Sequence, residues 1–251
     1  MANDYKFRIM VQKRVIGHIF LVLQIFVLQL FVTHAVFAQE LDPIITNHIL
    51  AVGDKSKWDA LKSITLEGKI NDENLVISYT KSVIPGKCLR YNYSFESRSD
   101  FYKDKKYFIL LSPTGAWRST PEEKGDTVKL KEDEILVSKD EMNLIDPFVN
   151  AISKGIKIIR LGDEFYLDKN HYKFQIDYNN KSYYYYLDVD NFHIIKRVLV
   201  NADYDEIIEY ENYEKTALGI SMPKKSTQHG TQNVIEKIKI NDGLKIEQFK
   251  L

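Results

Sequence analysis

Between Ile64 and Asn241 apolar residues recur at every second position in one short stretch after another. Period two places alternate side chains on opposite faces of a pleated strand, so each stretch reads as a strand with one face buried. Ile64, Leu66, Gly68 and Ile70 share one face, and after Asn71-Asp72-Glu73-Asn74 the chain returns over Leu75 to Ile84. Further strands are predicted over Lys87 to Glu96, Asp100 to Leu111, Gly115 to Thr120 and Thr127 to Leu130. The pattern resumes over Ile156 to Leu161, Glu164 to Leu167, His171 to Tyr178, Lys181 to Asp188, His193 to Asn201, Glu206 to Tyr213, Met222 to Gln228 and Gln232 to Asn241. Turn residues such as Pro85-Gly86, Ser112-Pro113-Thr114-Gly115 and Asn179-Asn180 separate them, and connections this short make neighbours antiparallel. With short candidates merged, about eleven strands remain, too many for one flat sheet, so the sheet should curl and acquire an inside.

Helical spacing appears in two places. Asp42-Pro43 is a helix entry, and Ile44, Ile45, His48, Ile49 and Val52 follow at helical intervals until Gly53; a short second helix is predicted over Lys55 to Leu61, with Trp58 and Leu61 on one face. Ser138-Lys-Asp-Glu141 is a capping-box pattern, after which Met142, Ile145, Val149 and Ile152 recur at three- and four-residue spacing with Phe148 beside them, up to Gly155. Pro147 should kink this helix or divide it in two. Such stripes either cover a cavity as lids or plug the core.

The start of the chain has a different logic. Lys6, Arg8, Lys13 and Arg14 precede an apolar run from Val15 to Ala38, which ends in Val36-Phe37-Ala38 before Gln39. Basic residues, an apolar stretch and small residues at a cleavage point make a secretory signal over residues 1–38, cut after Ala38. The run is also long enough to remain as a membrane anchor. No Cys directly follows the cut, so the acylated residue of a bacterial lipoprotein is missing there. Residues 39–251 contain no linker-like stretch and read as a single domain exported to the periplasm.

Composition narrows the function classes. Thirty-five basic residues balance 35 acidic ones, which gives no field to gather nucleic acid, and one Cys excludes a disulfide scaffold. Aromatic residues make up 12% of the chain, in keeping with a β protein. Asp188-Val-Asp190-Asn191-Phe192 begins like a calcium loop but has His193 where Gly makes the turn and Leu199 where a bidentate Glu belongs; it reads as a hairpin turn. No His-x-x-x-His pair, Gly-x-Ser-x-Gly elbow or phosphate-binding Gly loop is present, so neither a metal, a cofactor nor an enzyme activity is expected.

Several short patterns occur in the order found in the periplasmic outer-membrane lipoprotein carriers, the LolA/LolB-like family, and in particular its Bacteroidetes type. They are Ile49-Leu-Ala-Val-Gly-Asp-Lys-Ser-Lys-Trp58 with Leu61-Lys-Ser-Ile64 and Gly68, Pro85 with Leu89-Arg90, and Gly115-Ala-Trp117 with Pro121. Tyr186-Leu-Asp188 leading to Ile194-Ile-Lys-Arg197, Gly219-Ile-Ser-Met-Pro223, and Asn241 with Ile246 and Phe249 complete the series. The chain resembles that family over almost all of residues 39–251, although Asp54 stands where a second Gly is usual. The resemblance implies a mainly β fold, an unclosed antiparallel half-barrel whose concave face is covered by helices, with a cavity for acyl chains.

The candidate cavity or lid residues are Ile45, Ile49 and Val52 from the entry helix, Met142, Ile145, Phe148, Val149 and Ile152 from the later one, and Arg90 and Trp117 from the sheet. Arg90 either latches a lid through a carboxylate or is a solvated strand residue. Tyr183, Tyr184, Tyr185 and Tyr186 run consecutively, so their rings must project alternately to both faces. The expected function is binding and transport of lipid or the acyl chains of a lipoprotein in outer-membrane biogenesis, by a monomer with transient envelope protein partners. The alternative is a non-catalytic structural or interaction module with a filled core.

Overall fold

The computed structural model describes residues 42–73, 75–96, 106–121, 124, 126–201 and 204–251. The expected export signal and the front of the strand expected from Asp100 lie outside them. Helix α1 (Pro43–Val52) has proline at its first position, where the missing N–H would have had no partner, and Gly53 ends it at φ +103°. Asp54 caps α2 (Lys55–Asp59), accepting from the Lys57 N–H at 3.1 Å. Its φ is −70°, so the position where the resembling family places a second glycine needs none here.

One antiparallel sheet contains all thirteen strands of the described residues, two more than the roughly eleven expected from the sequence. From β1 (Ile64–Asp72) the chain meanders outward through β2 (Leu75–Ile84), β3 (Cys88–Glu96), β4 (Lys106–Ser112) and β5 (Gly115–Ser119) to the two-residue β6 (Val128–Lys129). A second meander starts at the opposite edge with β7 (Ile158–Tyr166) and runs through β8 (Lys169–Tyr178), β9 (Lys181–Asp188), β10 (Ile194–Val200), β11 (Glu206–Lys215) and β12 (Ser221–Gln228) to β13 (Thr231–Ile240). The last strand pairs with the first, Ile64 opposite Ile240, which joins the two fans into a single half-barrel with β6 and β7 as its free edges. Ile156–Leu161 and Glu164–Leu167 were separate strands by pattern; they merge into β7, where the ladder shifts register between Arg160 and Gly162.

This topology forces the chain to travel from one free edge to the other across the open face. It does so as α3 (Glu132–Glu141) and α4 (Pro147–Ser153). Pro147 divides the helical region as expected, but the first piece starts earlier than the pattern predicts. The cap is at Lys131, whose backbone N–H donates to the Glu134 carboxylate at 2.7 Å, and Ser138 lies buried inside α3. Met142 and Ile145 therefore occupy the connection between two helices. Asp146 is the true cap of α4, taking the N–H groups of Phe148 at 2.9 Å and Val149 at 3.2 Å.

Directly paired residues share a face, so the ladders assign every side chain. Ile64, Val83, Leu89 and Leu111 follow one another across four strands on the concave side, as do Phe174, Tyr185, Arg197 and Ile208 in the other fan. Two apolar clusters fill this side. One gathers Val52, Trp58, Ile64, Met142 and Val149; the other gathers Ile45, Phe148, Phe174, Tyr185 and Ile194. The convex side has its own small core of Cys88, Leu110 and Phe249, with Trp117 packed against it, where the C-terminal segment folds back over the sheet.

Candidate functional site

Beneath the two bridging helices the concave face is not filled. A cavity of about 310 Å³ lies under α4, lined by Ile145, Ile156, Ile176, Met222 and a group of tyrosines from β8, β9 and β11. A second, of about 680 Å³, lies under α3 against Leu66, Ile70, Tyr79, Tyr91 and Ile235. Here Tyr79 crosses over Gly68, where a Cβ would come within 2.9 Å of the ring, and its hydroxyl donates to Asn233 at 2.8 Å. Burial pushes the Tyr79 phenol up to about 12, and burial raises the Tyr91 phenol as well, so both stay neutral.

The two helices are held in different ways. Phe148, wholly buried at the start of α4, makes edge contacts with Phe174 at 5.6 Å and Tyr185 at 5.5 Å between ring centres. His48 of α1 clamps the same end: it bonds both oxygens of Asp146, at 3.1 and 3.2 Å, and the Phe192 carbonyl at 2.6 Å. Burial opposes charge on this ring most strongly, but the Asp146 carboxylate, its hydrogen bond and the Phe192 carbonyl together raise the His48 pKa above its usual 6.5. By contrast, α3 packs Ile135 against the first cluster but leaves Leu136 and Val137 exposed, and is otherwise attached through ion pairs, Arg118 with Glu134 and Lys81 with Glu141 at 2.8 Å. Ion pairs of this kind each contribute about 0–1 kcal/mol. The cover over the larger cavity is thus held by fewer buried contacts than the clamped α4 over the smaller one.

The expected site residues separate into three groups. Val52 and Ile145 line the cavity under α4. Ile45, Ile49, Met142, Phe148, Val149 and Ile152 pack in or against the concave clusters that support the cover. Arg90 and Trp117 lie on the convex face, because both stand opposite Leu110 in the ladders. Arg90 does not reach a helix carboxylate: it donates to the carbonyls of Lys250 at 3.0 Å and Gln248 at 3.4 Å, and its guanidinium lies over Phe108. It fastens the C-terminal segment to the outside of the sheet.

Solved structures with this arrangement point one way. The chain matches a domain classed with outer membrane lipoprotein-sorting proteins from Vibrio parahaemolyticus (TM-score 0.53, 10% identity, 83% of this chain and 95% of that one). It also matches a LolA superfamily protein from Nitrosomonas europaea (TM-score 0.50, 12% identity, 82% and 96% covered). The chain shares their fold. A DUF1329 family protein from Desulfovibrio piger shares it as well (TM-score 0.54, 15% identity, 84% and 98% covered). No protein-family model and no curated protein matches the sequence.

Within that fold, the tyrosine run divides as strand geometry requires. Tyr183 and Tyr185 face the cavity, while Tyr184 and Tyr186 face outward over the Lys173 ammonium at 5.0 and 5.2 Å. Tyr186 is buried rather than wet, its hydroxyl donating to Glu164 at 3.1 Å. Asp188 turns β9 into β10 by accepting the N–H groups of Asp190 and Asn191 at 2.8 and 3.1 Å, a hairpin turn. Three features of the site have no signal in the pattern: α3 itself, the His48–Asp146 clamp and Arg197, whose side chain reaches the cavity wall. No helix among the described residues is long and apolar enough to cross a membrane.

Proposed function

We propose that this protein is an exported carrier that shelters a hydrophobic ligand, such as the acyl chain of a lipid or lipoprotein, on its transfer through the periplasm. The observation that carries this reading is the cavity under α4, lined mainly by aliphatic and aromatic side chains, beside a second under α3 whose wall is half apolar and half polar, in a half-barrel that its own core does not fill. Each methylene withdrawn from water contributes about 0.8 kcal/mol, so shape and apolar area suffice for affinity without a catalytic group. Ion-paired α3 supplies the opening, and clamped α4 keeps the wall in place while α3 moves. The lipoprotein-sorting fold and the signal-like segment over residues 1–38 support the same assignment. Purification without detergent followed by native mass spectrometry tests it. Co-purifying lipid, or saturable uptake of a fluorescent fatty acid, is expected; an empty protein that takes up no probe would overturn it.

A second reading, an envelope interaction module, is favoured by one observation: Leu161, Phe165 and Leu167 are exposed along the free edge strand β7 and its turn. In-cell cross-linking from Phe165 that captures a single protein, together with no lipid uptake, would favour it.

A further inference from the structure

Arg197 is the only basic side chain among the described residues lining the cavity under α4. Arg197 is half-buried, and a guanidinium drawn partly out of water normally has a paired anion. Among the described residues Arg197 has none. Its Nε is buried without a hydrogen-bond partner, and the group rests against the Tyr183 ring at 5.8 Å. The two carboxylates on the same wall do not supply the missing charge. Asp146 is occupied by His48 and by the amides of Phe148 and Val149, and Asp140 lies exposed at the rim without an ion pair to Arg197 among the described residues. Tyr183, Tyr185 and Tyr210 surround the group on the same wall, their hydroxyls making no hydrogen bond to a described residue. Beyond them the surface turns aliphatic, with Ile145, Ile156, Ile176 and Met222.

We propose that Arg197 and the surrounding tyrosines form the headgroup end of this cavity, and that the ligand is a single-chain amphiphile whose head is a carboxylate or a phosphate monoester. This rests on the hydrophobic-ligand reading above and makes it specific. The planar guanidinium presents paired N–H donors that fit either oxyanion, and the tyrosine hydroxyls add neutral donors around it. A volume of about 310 Å³ is at the lower end of the range of small-molecule pockets, about 300–1,000 Å³, which suits one chain rather than two. An oxyanion here completes the pairing that the protein leaves open, and the chain then runs along the aliphatic wall.

The test is competition against a fluorescent fatty acid by palmitate, hexadecyl phosphate and hexadecanol, which share one chain length. The wild-type protein is expected to bind at least one of the two anions about tenfold or more tightly than the alcohol, the worth of one charge-assisted hydrogen bond. Arg197→Gln should abolish that preference by weakening the anions far more than hexadecanol, and Arg197→Lys should keep part of it. Both variants remove or preserve charge at one wall position, so a folding defect in one leaves the other informative. The tighter of the two anions identifies the headgroup. Equal binding of all three by wild type, or an anion preference that survives in Arg197→Gln, would overturn the headgroup site while leaving the carrier reading intact. Failure of wild type to bind any of the three would remove the carrier reading and this inference with it.

Discussion

His48 and Asp146 meet 3.1 Å apart across 98 residues of sequence, with the histidine completely buried. A carboxylate at Asp146 and the Phe192 carbonyl both accept, so the site favours the cationic imidazole, in which both ring nitrogens donate. That one contact joins the entry helix to the cap of α4 and to the β9–β10 turn. A folded-state pKa above the ordinary 6.5 means that the pair's stabilisation is complete below that pH and is lost as pH rises through the raised value. His171 and His193 are depressed by burial and give the opposite slope, so the His48 contribution must be read by difference. Urea unfolding across pH 5–9 should show wild type losing its advantage over His48→Gln as pH rises.

Asp146 serves both as cap and as counter-ion. Asp146→Asn keeps an acceptor for the α4 amides but strands the His48 charge, and breaking a buried pair costs about 3–5 kcal/mol. The expected result is a loss in that range at pH 6, smaller at pH 9 where His48 can be neutral. Phe148→Ala, which opens a hole in the second cluster, should cost about 3–5 kcal/mol at either pH. Denaturant titration distinguishes the two variants by this difference in pH response.

The unequal anchoring of the two cover helices makes a dynamic expectation. Amide hydrogen exchange should be faster over Glu132–Glu141 than over Pro147–Ser153, and raised salt or Lys81→Ala should accelerate only the former. If α3 is the part that lifts, Lys81→Ala also speeds ligand uptake. Equal protection of both helices, unaffected by salt, would place the opening elsewhere.

Much of this architecture was readable in the sequence because alternation is a property of individual strands. Tyr183 to Tyr186 had to divide between two faces, and Pro147 had to interrupt the helical stripe. What alternation cannot say is which parity faces the hollow, since that depends on how the sheet curls; Arg90 and Trp117 were correctly strand residues yet face outward. Helix α3 is illegible in the pattern because Ile135, Leu136 and Val137 are consecutive, so no stripe forms: Ile135 packs against the first cluster, and ion pairs supply the rest of the attachment. Arg197 is illegible for a related reason. In Ile194-Ile-Lys-Arg-Val-Leu199 both parities carry apolar and basic residues, and only pairing with Tyr185 assigns the arginine to the concave side.

The outward placement of Arg90 and Trp117 has its own consequence. Arg90→Ala and Trp117→Ala should loosen the C-terminal segment around Phe249, seen as increased proteolysis after residue 240, and leave ligand affinity unchanged. A loss of ligand binding without tail release would reverse that assignment.

Occupancy of the hollow is tested most directly by photo-labelling with a palmitate analogue carrying a diazirine in its chain, followed by peptide mass spectrometry. Labels are expected at residues that face the cavities, among them Ile145, Ile176 and Met222, and should be displaced by unlabelled palmitate. Labels confined to the convex face or to the exposed edge at Phe165, or no displaceable label at all, would contradict a sheltered ligand.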